Sequence, residues 1–190
     1  ARGSELTTTE GMAIYGTTPQ FFVGEDPNDH AEITFTGGLG QKLHVEAGGN
    51  IQVNVVSVDN ASSRVIVDQV LSNHGDVTIV APHGITAYDA NSVIQGKFVQ
   101  LDVTSGSIGT PGLPVAVNSS YRKDGGVALR AEGDIYLTET GGNLILAEPT
   151  AWSQAVASIY SESGNVTLVA STGSITDGWI EGAQTLTDAG

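Results

Sequence analysis

The chain repeats one short phrase: a glycine, then Asp or Asn, then residues that alternate between apolar and polar. Alternation with a period of two predicts β-strands with one buried face, and the Gly-Asp or Gly-Asn pair before each strand predicts a tight turn. Copies of the phrase begin at Gly49, Gly75, Gly133, Gly142 and Gly164. Because the same strand-and-turn unit recurs, the pattern predicts a repeat architecture.

The spacing of the copies predicts how the strands stack. Gly84 and Gly106, which each precede a short Ile-containing strand, lie 22 residues apart, as do Gly142 and Gly164. At about 3.3 Å per residue, this period fits three short strands with their corners. We therefore expect an all-β right-handed parallel β-helix, a solenoid with three faces, in which each strand pairs in parallel with its equivalents. An antiparallel β-sandwich is the alternative, because it also has a strand every 8–12 residues or so.

In the predicted solenoid, the apolar residues of each copy face inward and form aliphatic columns, while the polar residues between them face solvent. The predicted outward residues include Thr78, Tyr136 and Thr167. The predicted inward residues are Val77, Ile79, Ile135, Leu137, Leu144, Leu146, Val166 and Leu168.

The pattern divides the chain into four parts. We expect residues 1–11 to be disordered or a cloning remnant, and residues 12–45 to form a less regular N-terminal β segment or cap. Residues 46–180 carry the parallel β-helix, and residues 181–190 are a polar tail. Two longer interruptions of the pattern, 110–125 and 148–163, are expected to be loops.

Composition limits the partners of the chain. Twenty-one acidic residues against seven Lys and Arg give a formal net charge of −14 at pH 7. Such a surface repels nucleic acid phosphates and anionic lipid headgroups, so we expect neither as a partner. The chain has no Cys and therefore no disulfide framework. It also has no apolar run near the roughly 20 residues that cross a bilayer, so no membrane insertion is expected.

The pattern G-D/N-V-T-L-x-A-x-x-G-S-I is present in full from Gly164 to Ile175 and in a shorter form from Gly75 to Ile85. It resembles the parallel β-helix of filamentous-haemagglutinin-like large bacterial exported adhesins, over roughly residues 45–180. The resemblance implies an internal segment of a secreted or cell-surface protein that acts as a non-catalytic structural stalk or adhesive module. The implied partners are a host or matrix glycan or protein, and neighbouring segments of the parent chain.

The residues that follow the glycines would stack at the corners of the solenoid. They are Asn50, Asp76, Asp134, Asn143 and Asn165. Side chains of this kind can line a cation site, but Asn and Asp also bond nearby backbone and tolerate left-handed conformations at turns. We therefore expect them to be turn residues.

No cofactor is expected, and calcium is the one candidate metal. Calcium needs six to eight oxygen ligands that converge on one point. Acidic residues are densest at Glu25, Asp26, Asp29 and Glu32, which are the candidate ligands, with a solvated acidic loop as the alternative. Residues 37–42 nearly match the calcium-binding sequence GGxGxD, but Lys42 stands where the ligand Asp belongs, so this copy is not expected to bind.

Three aromatic residues in or beside the two interruptions are the candidate ligand-binding residues: Tyr121, Trp152 and Tyr160. Aromatic rings in loops can stack on sugars or on a protein partner, and they can equally cover the ends of a core.

Two alternative functions stay open. One is a calcium-stabilised secreted module, and the other is a carbohydrate-active enzyme, because right-handed β-helices also include polysaccharide hydrolases and lyases. A glycosidase needs two carboxyl groups about 5–10 Å apart. Asp102, Glu132, Asp134 and Glu139 are candidates on the outward face, but chance explains such pairs. The seven basic residues are scattered and the four His residues show no zinc-site spacing. We therefore assign no catalytic residue and expect no enzyme activity.

Overall fold

The computed structural model describes residues 4–8, 20–36, 42–56, 64–121, 125–149 and 158–178, and these are all-β, with no helix among them. In chain order the strands are β1 (Ser4–Thr8), β2 (Gln20–Val23), β3 (Ala31–Thr36), β4 (Lys42–Ala47), β5 (Ile51–Val56), β6 (Val65–Ser72), β7 (Val77–Ala81), β8 (Ile85–Ala87), β9 (Val93–Gln95), β10 (Phe98–Val103), β11 (Val115–Asn118), β12 (Gly126–Ala131), β13 (Ile135–Glu139), β14 (Leu144–Leu146), β15 (Ile159–Ser161), β16 (Val166–Ala170) and β17 (Ile175–Asp177).

The strands form two parallel sheets. Sheet A has the order β1-β3-β5-β7-β10-β12-β14-β17, with β15 also on β12, and sheet B has the order β2-β4-β6-β9-β11-β13-β16, with β8 also on β6. The chain alternates between the sheets, and we call one passage through sheet A and then sheet B a repeat. Every strand pairing among the described residues is parallel, so the antiparallel β-sandwich alternative is wrong. The architecture is consistent with a solenoid-like fold.

The strand pairing shows two sheets rather than the three predicted faces. Strand β6 pairs with both β8 and β9, and β12 pairs with both β14 and β15. Because one long strand spans two short strands of the next repeat, segments expected on separate faces belong to the same sheet.

The recurring phrase marks a corner and its strand rather than a whole repeat. The copy at Gly75 leads into β7 of sheet A, whereas the copy at Gly164 leads into β16 of sheet B. Gly142 leads into β14 of sheet A, so the 22-residue interval between Gly142 and Gly164 separates corners that lead into different sheets. Gly84 and Gly106 do occupy equivalent corners, since Ile85 and Ile108 after them are paired in parallel.

Inward side chains stack in register along each sheet. In sheet B the column of Val45, Val70, Ile94 and Val117 is fully buried. Among the predicted inward residues, the prediction is confirmed for Val77, Ile79, Ile135, Leu137 and Leu144, which are fully buried, and in part for Leu146 and Leu168. Val166 departs from it, with 43% of its surface exposed, because β16 has a described partner strand on one side only.

Parallel pairing is present on both sides of residue 45. Strand β1 lies within residues 1–11, where the sequence predicts disorder or a cloning remnant, and it pairs with β3. Strand β3 in turn pairs with β5, which lies inside the predicted β-helix range. Residues 181–190, the predicted polar tail, lie outside the described residues.

Candidate functional site

The Asn and Asp residues at the corners bond the backbone of the next repeat. Before sheet A, Asn50 Oδ1 accepts a hydrogen bond from the N–H of Asp76 (2.9 Å), and Asp76 Oδ1 accepts one from Phe98 N–H (3.2 Å). Before sheet B, Asp134 Oδ1 accepts one from Asn165 N–H (2.7 Å). At another corner before sheet A, Asn143 Oδ1 accepts a hydrogen bond from Ser174 N–H (3.0 Å). These residues lie at corners as predicted, but the hydrogen bonds that their side chains accept run to the next repeat rather than to the backbone of their own turn.

A serine forms a second link at two corners, one before sheet A and one before sheet B. Ser72 Oγ donates to Gly49 O (2.7 Å) in the preceding repeat and accepts from Gly75 N–H (2.9 Å) within its own turn. Ser161 makes the same two bonds in its own corner, to Gly133 O (2.8 Å) and from Gly164 N–H (2.9 Å). The sequence S-x-x-G-[DN] thus specifies a corner that is bonded within its turn and to the repeat before it.

Glu139 occupies an inward position, which corrects the prediction that it faces outward. It is in register with Val117 of the buried column and is itself fully buried. Its Oε2 accepts hydrogen bonds from Ser119 N–H (3.0 Å) and Ser119 Oγ–H (2.6 Å), and its Oε1 accepts one from Gly141 N–H (3.1 Å). These bonds compensate the loss of water around the carboxylate, so Glu139 holds a corner rather than facing a groove.

Asp102 and Arg130 form an ion pair on the outer face of sheet A. The guanidinium is bidentate: Nε donates to Asp102 Oδ1 at 2.7 Å, and Nη2 donates to Oδ2. The hydrogen bonding that Arg130 donates to Asp102 raises the pKa of Arg130 above its usual value. Because Asp102 is engaged by Arg130 and only 8% of its side chain is exposed, it is poorly placed to serve as one of a pair of free carboxylates.

The structure places the two described aromatic candidates in different surroundings. Tyr121 follows β11, and its hydroxyl donates to the backbone oxygens of Ser72 (2.9 Å) and Asn73. Tyr160 lies in β15, in register with Arg130, and is 41% exposed on the outer face of sheet A. Trp152 lies outside the described residues, and a ligand-binding role for all three stays a prediction.

The acidic cluster at residues 25–32 is a turn whose carboxylates bond its own backbone. Asp26 Oδ1 accepts from the N–H and Nδ2 of Asn28 (2.9 and 2.7 Å), and Asp29 Oδ2 accepts from Asp26 N–H (3.0 Å). The bonds from Asn28 lower the pKa of Asp26 below its usual 3.8. Glu25 is exposed beside this turn, and Glu32 is exposed on β3.

Within the part of the chain that the structure describes, no three His, Asp or Glu side chains are grouped so that they could hold a metal ion. Calcium binding stays a prediction.

One group of ion-paired side chains on the outer face of sheet B was not predicted from the sequence. Lys42 Nζ lies 3.1 Å from Asp68 Oδ2, and His44 Nδ1 lies 3.6 Å from the same oxygen. The other ring nitrogen of His44, Nε2, lies 2.9 Å from Glu46 Oε1. We call Lys42, His44, Glu46 and Asp68 the charged row.

Two features of the strands bring the charged row together. Lys42, His44 and Glu46 alternate with buried residues along β4 and so share its outer face. Asp68 joins them through a β-bulge, since β6 contributes one extra residue opposite the step from Leu43 to His44. The K-x-H-x-E spacing was available to sequence reasoning, but the bulge was not, because a bulge shows only in the register of two paired strands.

Tyr88 extends the charged row into the next repeat. Its ring centroid lies 4.5 Å from Lys42 Nζ, within cation–π range, and the residue is 52% exposed. Its backbone N–H donates to Val67 O (2.7 Å) and to Ser92 Oγ (3.1 Å). Ser92 is almost fully buried, so the exposed ring stands on a turn that is fixed to the sheet.

Comparison with protein-family models, with curated proteins and with solved structures finds no match to this chain. Among the residues that the structure describes, no helix is long and apolar enough to span a membrane. Function is therefore inferred from the geometry of the two sheets and from the recurring phrase.

Proposed function

We propose that this chain is a segment of a closed, right-handed parallel β-helix that serves as a structural stalk or adhesive module, without catalysis, in a large exported bacterial surface protein. The observation that carries the proposal is the hydrogen bonding between repeats. Backbone ladders join the strands of both sheets, and Asn, Asp and Ser side chains join successive corners.

This bonding suits a mechanical role. Each repeat adds about 4.8 Å, the spacing between paired strands, so length grows in proportion to the number of repeats. Each repeat is held chiefly by its neighbours, as in other solenoids, and its loops can vary without disturbing the ladders. Export and bacterial origin rest on the resemblance of the phrase to filamentous-haemagglutinin-like adhesins. The proposed location is outside the cell, either secreted or on its surface.

Incubation of the chain with neutral and acidic polysaccharides tests this proposal. Bound protein and newly released chain ends are measured in the same samples. A stalk releases no ends and binds nothing, whereas an adhesive module binds without releasing ends. Released ends would contradict the proposal and favour the alternative of a carbohydrate-active enzyme. An experimental structure of the chain would test the closure and the handedness of the helix.

A further inference from the structure

The outer face of sheet B carries an exposed aromatic ring beside groups that can donate and accept hydrogen bonds. Tyr88 is 52% exposed, and Lys42, beside its ring, is 29% exposed in its side chain. Glu46 at the far end of the charged row is 38% exposed, while His44 and Asp68 are less exposed, at 18 and 19%. Alternate residues of a strand are about 6.6 Å apart, so the row from Lys42 to Glu46 extends about 13 Å, which is longer than one pyranose ring.

The surface is ordered before any ligand arrives. Ser92 Oγ accepts from the N–H groups of Tyr88 and Asp89 (3.1 and 3.0 Å), and Asp89 Oδ1 accepts from Asn91 N–H (2.8 Å). The Lys42 ammonium is held between the Asp68 carboxylate and the Tyr88 ring. A ligand that binds to an ordered surface loses less free energy to the ordering of side chains.

The chemistry of the surface favours an uncharged, hydroxyl-rich ligand. The C–H face of a sugar ring packs against an aromatic face through dispersion and weak C–H contacts. Sugar hydroxyls both donate and accept, so they suit a row that holds an ammonium, an imidazole and two carboxylates. The carboxylates and the net charge of −14 repel anionic polysaccharides, while Lys42 already occupies the cation position at the ring.

We propose that the outer face of sheet B binds a neutral glycan, with one pyranose ring stacked on Tyr88 and neighbouring hydroxyls bonded to the charged row. The site rests on the adhesive form of the proposed function, for which it supplies a ligand class and a place. The residues that define this site are not the predicted binding residues Tyr121, Trp152 and Tyr160.

Isothermal titration of the 190-residue chain with cellohexaose, laminarihexaose, mannohexaose and hexagalacturonate tests the site. We expect at least one of the neutral hexasaccharides to bind and hexagalacturonate not to bind. Tyr88→Ala should weaken that binding about tenfold, which corresponds to about 1.4 kcal/mol and lies within the range that a stacked aromatic ring contributes. Tyr88→Phe keeps the ring and should bind like the original chain.

Val56→Ala is the matched control, because Val56 is 52% exposed, as Tyr88 is, but lies on sheet A. It should leave binding unchanged, whereas Lys42→Met should weaken it about threefold by removing a hydrogen-bond donor. Thermal melts of each variant show whether it is folded. The proposal is overturned if no neutral hexasaccharide binds, if only hexagalacturonate binds, or if Tyr88→Ala binds unchanged. These results leave the stalk intact, whereas released sugar products would overturn the proposed non-catalytic function.

Discussion

The middle repeats and the last described strands carry the same phrase but differ in burial. Val77 in β7 is fully buried, whereas Val166, at the same place in the phrase in β16, is 43% exposed. Strand β7 has β5 and β10 on its two edges, while β16 has only β13 among the described strands. The phrase therefore selects the strand and the face, but a core position is buried only where a repeat lies on each side of it.

The largest expected effect comes from replacing the same residue type in both regions. Leu101 is fully buried between Ile79 and Leu129, and Leu168 is only partly buried. Leu101→Ala should lower the free energy of unfolding by about 2–5 kcal/mol, because it leaves a cavity in the core. Leu168→Ala should lower it by about 1 kcal/mol or less, because less apolar surface is lost. Urea unfolding followed by circular dichroism measures both, and equal losses would contradict the comparison.

The middle repeats also differ from the last described strands in having a buried carboxylate, that of Glu139. Glu139→Gln puts an amide N–H₂ where Glu139 accepts from Ser119 or from Gly141, so two donors would face each other. We expect a loss of about 1–3 kcal/mol in the free energy of unfolding, the usual cost of a buried group left unsatisfied.

Glu132→Gln provides the control for Glu139, since Glu132 is exposed at a corner. It should change the free energy of unfolding by less than about 0.5 kcal/mol. If both variants unfold at the same urea concentration, then Glu139 does not stabilise the corner in the way its three hydrogen bonds indicate.

The corner hydrogen bonds offer a smaller contrast between the same two regions. Asn50→Ala removes the acceptor for Asp76 N–H of the next repeat and should cost about 1 kcal/mol. In the last described repeat, Asn165 bonds backward to Asp134, through its N–H (2.7 Å) and more weakly through Nδ2 (3.3 Å). Asn165→Ala keeps the backbone bond and should cost about half as much. Thermal unfolding of the two variants tests this, and a larger loss for Asn165→Ala would be the contrary result.

Local pattern was enough to predict most of the strands and the corner positions of Asn and Asp, but not β11 and β15, which lie in the segments 110–125 and 148–163 that were expected to be loops. The alternation in Val77–Ala81 and the preceding Gly75-Asp76 specify one strand and one turn, and both are present. The number of sheets was not predictable in the same way. It depends on β6 and β12 each pairing with two strands of the next repeat, and such pairing is set by contacts distant in sequence.

The candidate site shows the same division between local and distant information. Lys42, His44 and Glu46 share a face because of their spacing in β4, which the sequence displays. Asp68 and Tyr88 reach them only through a bulge and through a turn of the following repeat. Glu139 was predicted to face outward because a carboxylate ordinarily does, and its inward position depends on donors from Ser119, twenty residues away.

The turn at Asp26 tests whether a locally hydrogen-bonded element depends on the neighbouring repeats, and its expected effect is the smallest. Its carboxylate accepts both hydrogen bonds from Asn28, so its pKa in the folded chain lies below the usual 3.8. A lowered pKa means that the stabilisation by the ionised Asp26 carboxylate is present above pH 3.8 and is lost as the pH falls through the lower pKa of the folded chain.

Because the bonds lie within one turn, titration should shift the NMR signals of Asp26 and Asn28 and leave those of the middle repeats in place. Asn28→Ala keeps the backbone donor and removes the side-chain donor, so it should bring the pKa of Asp26 part of the way back. A titration midpoint at or above 3.8 in the original chain would contradict these bonds, and spreading shifts into the middle repeats would show that even this turn depends on its neighbours.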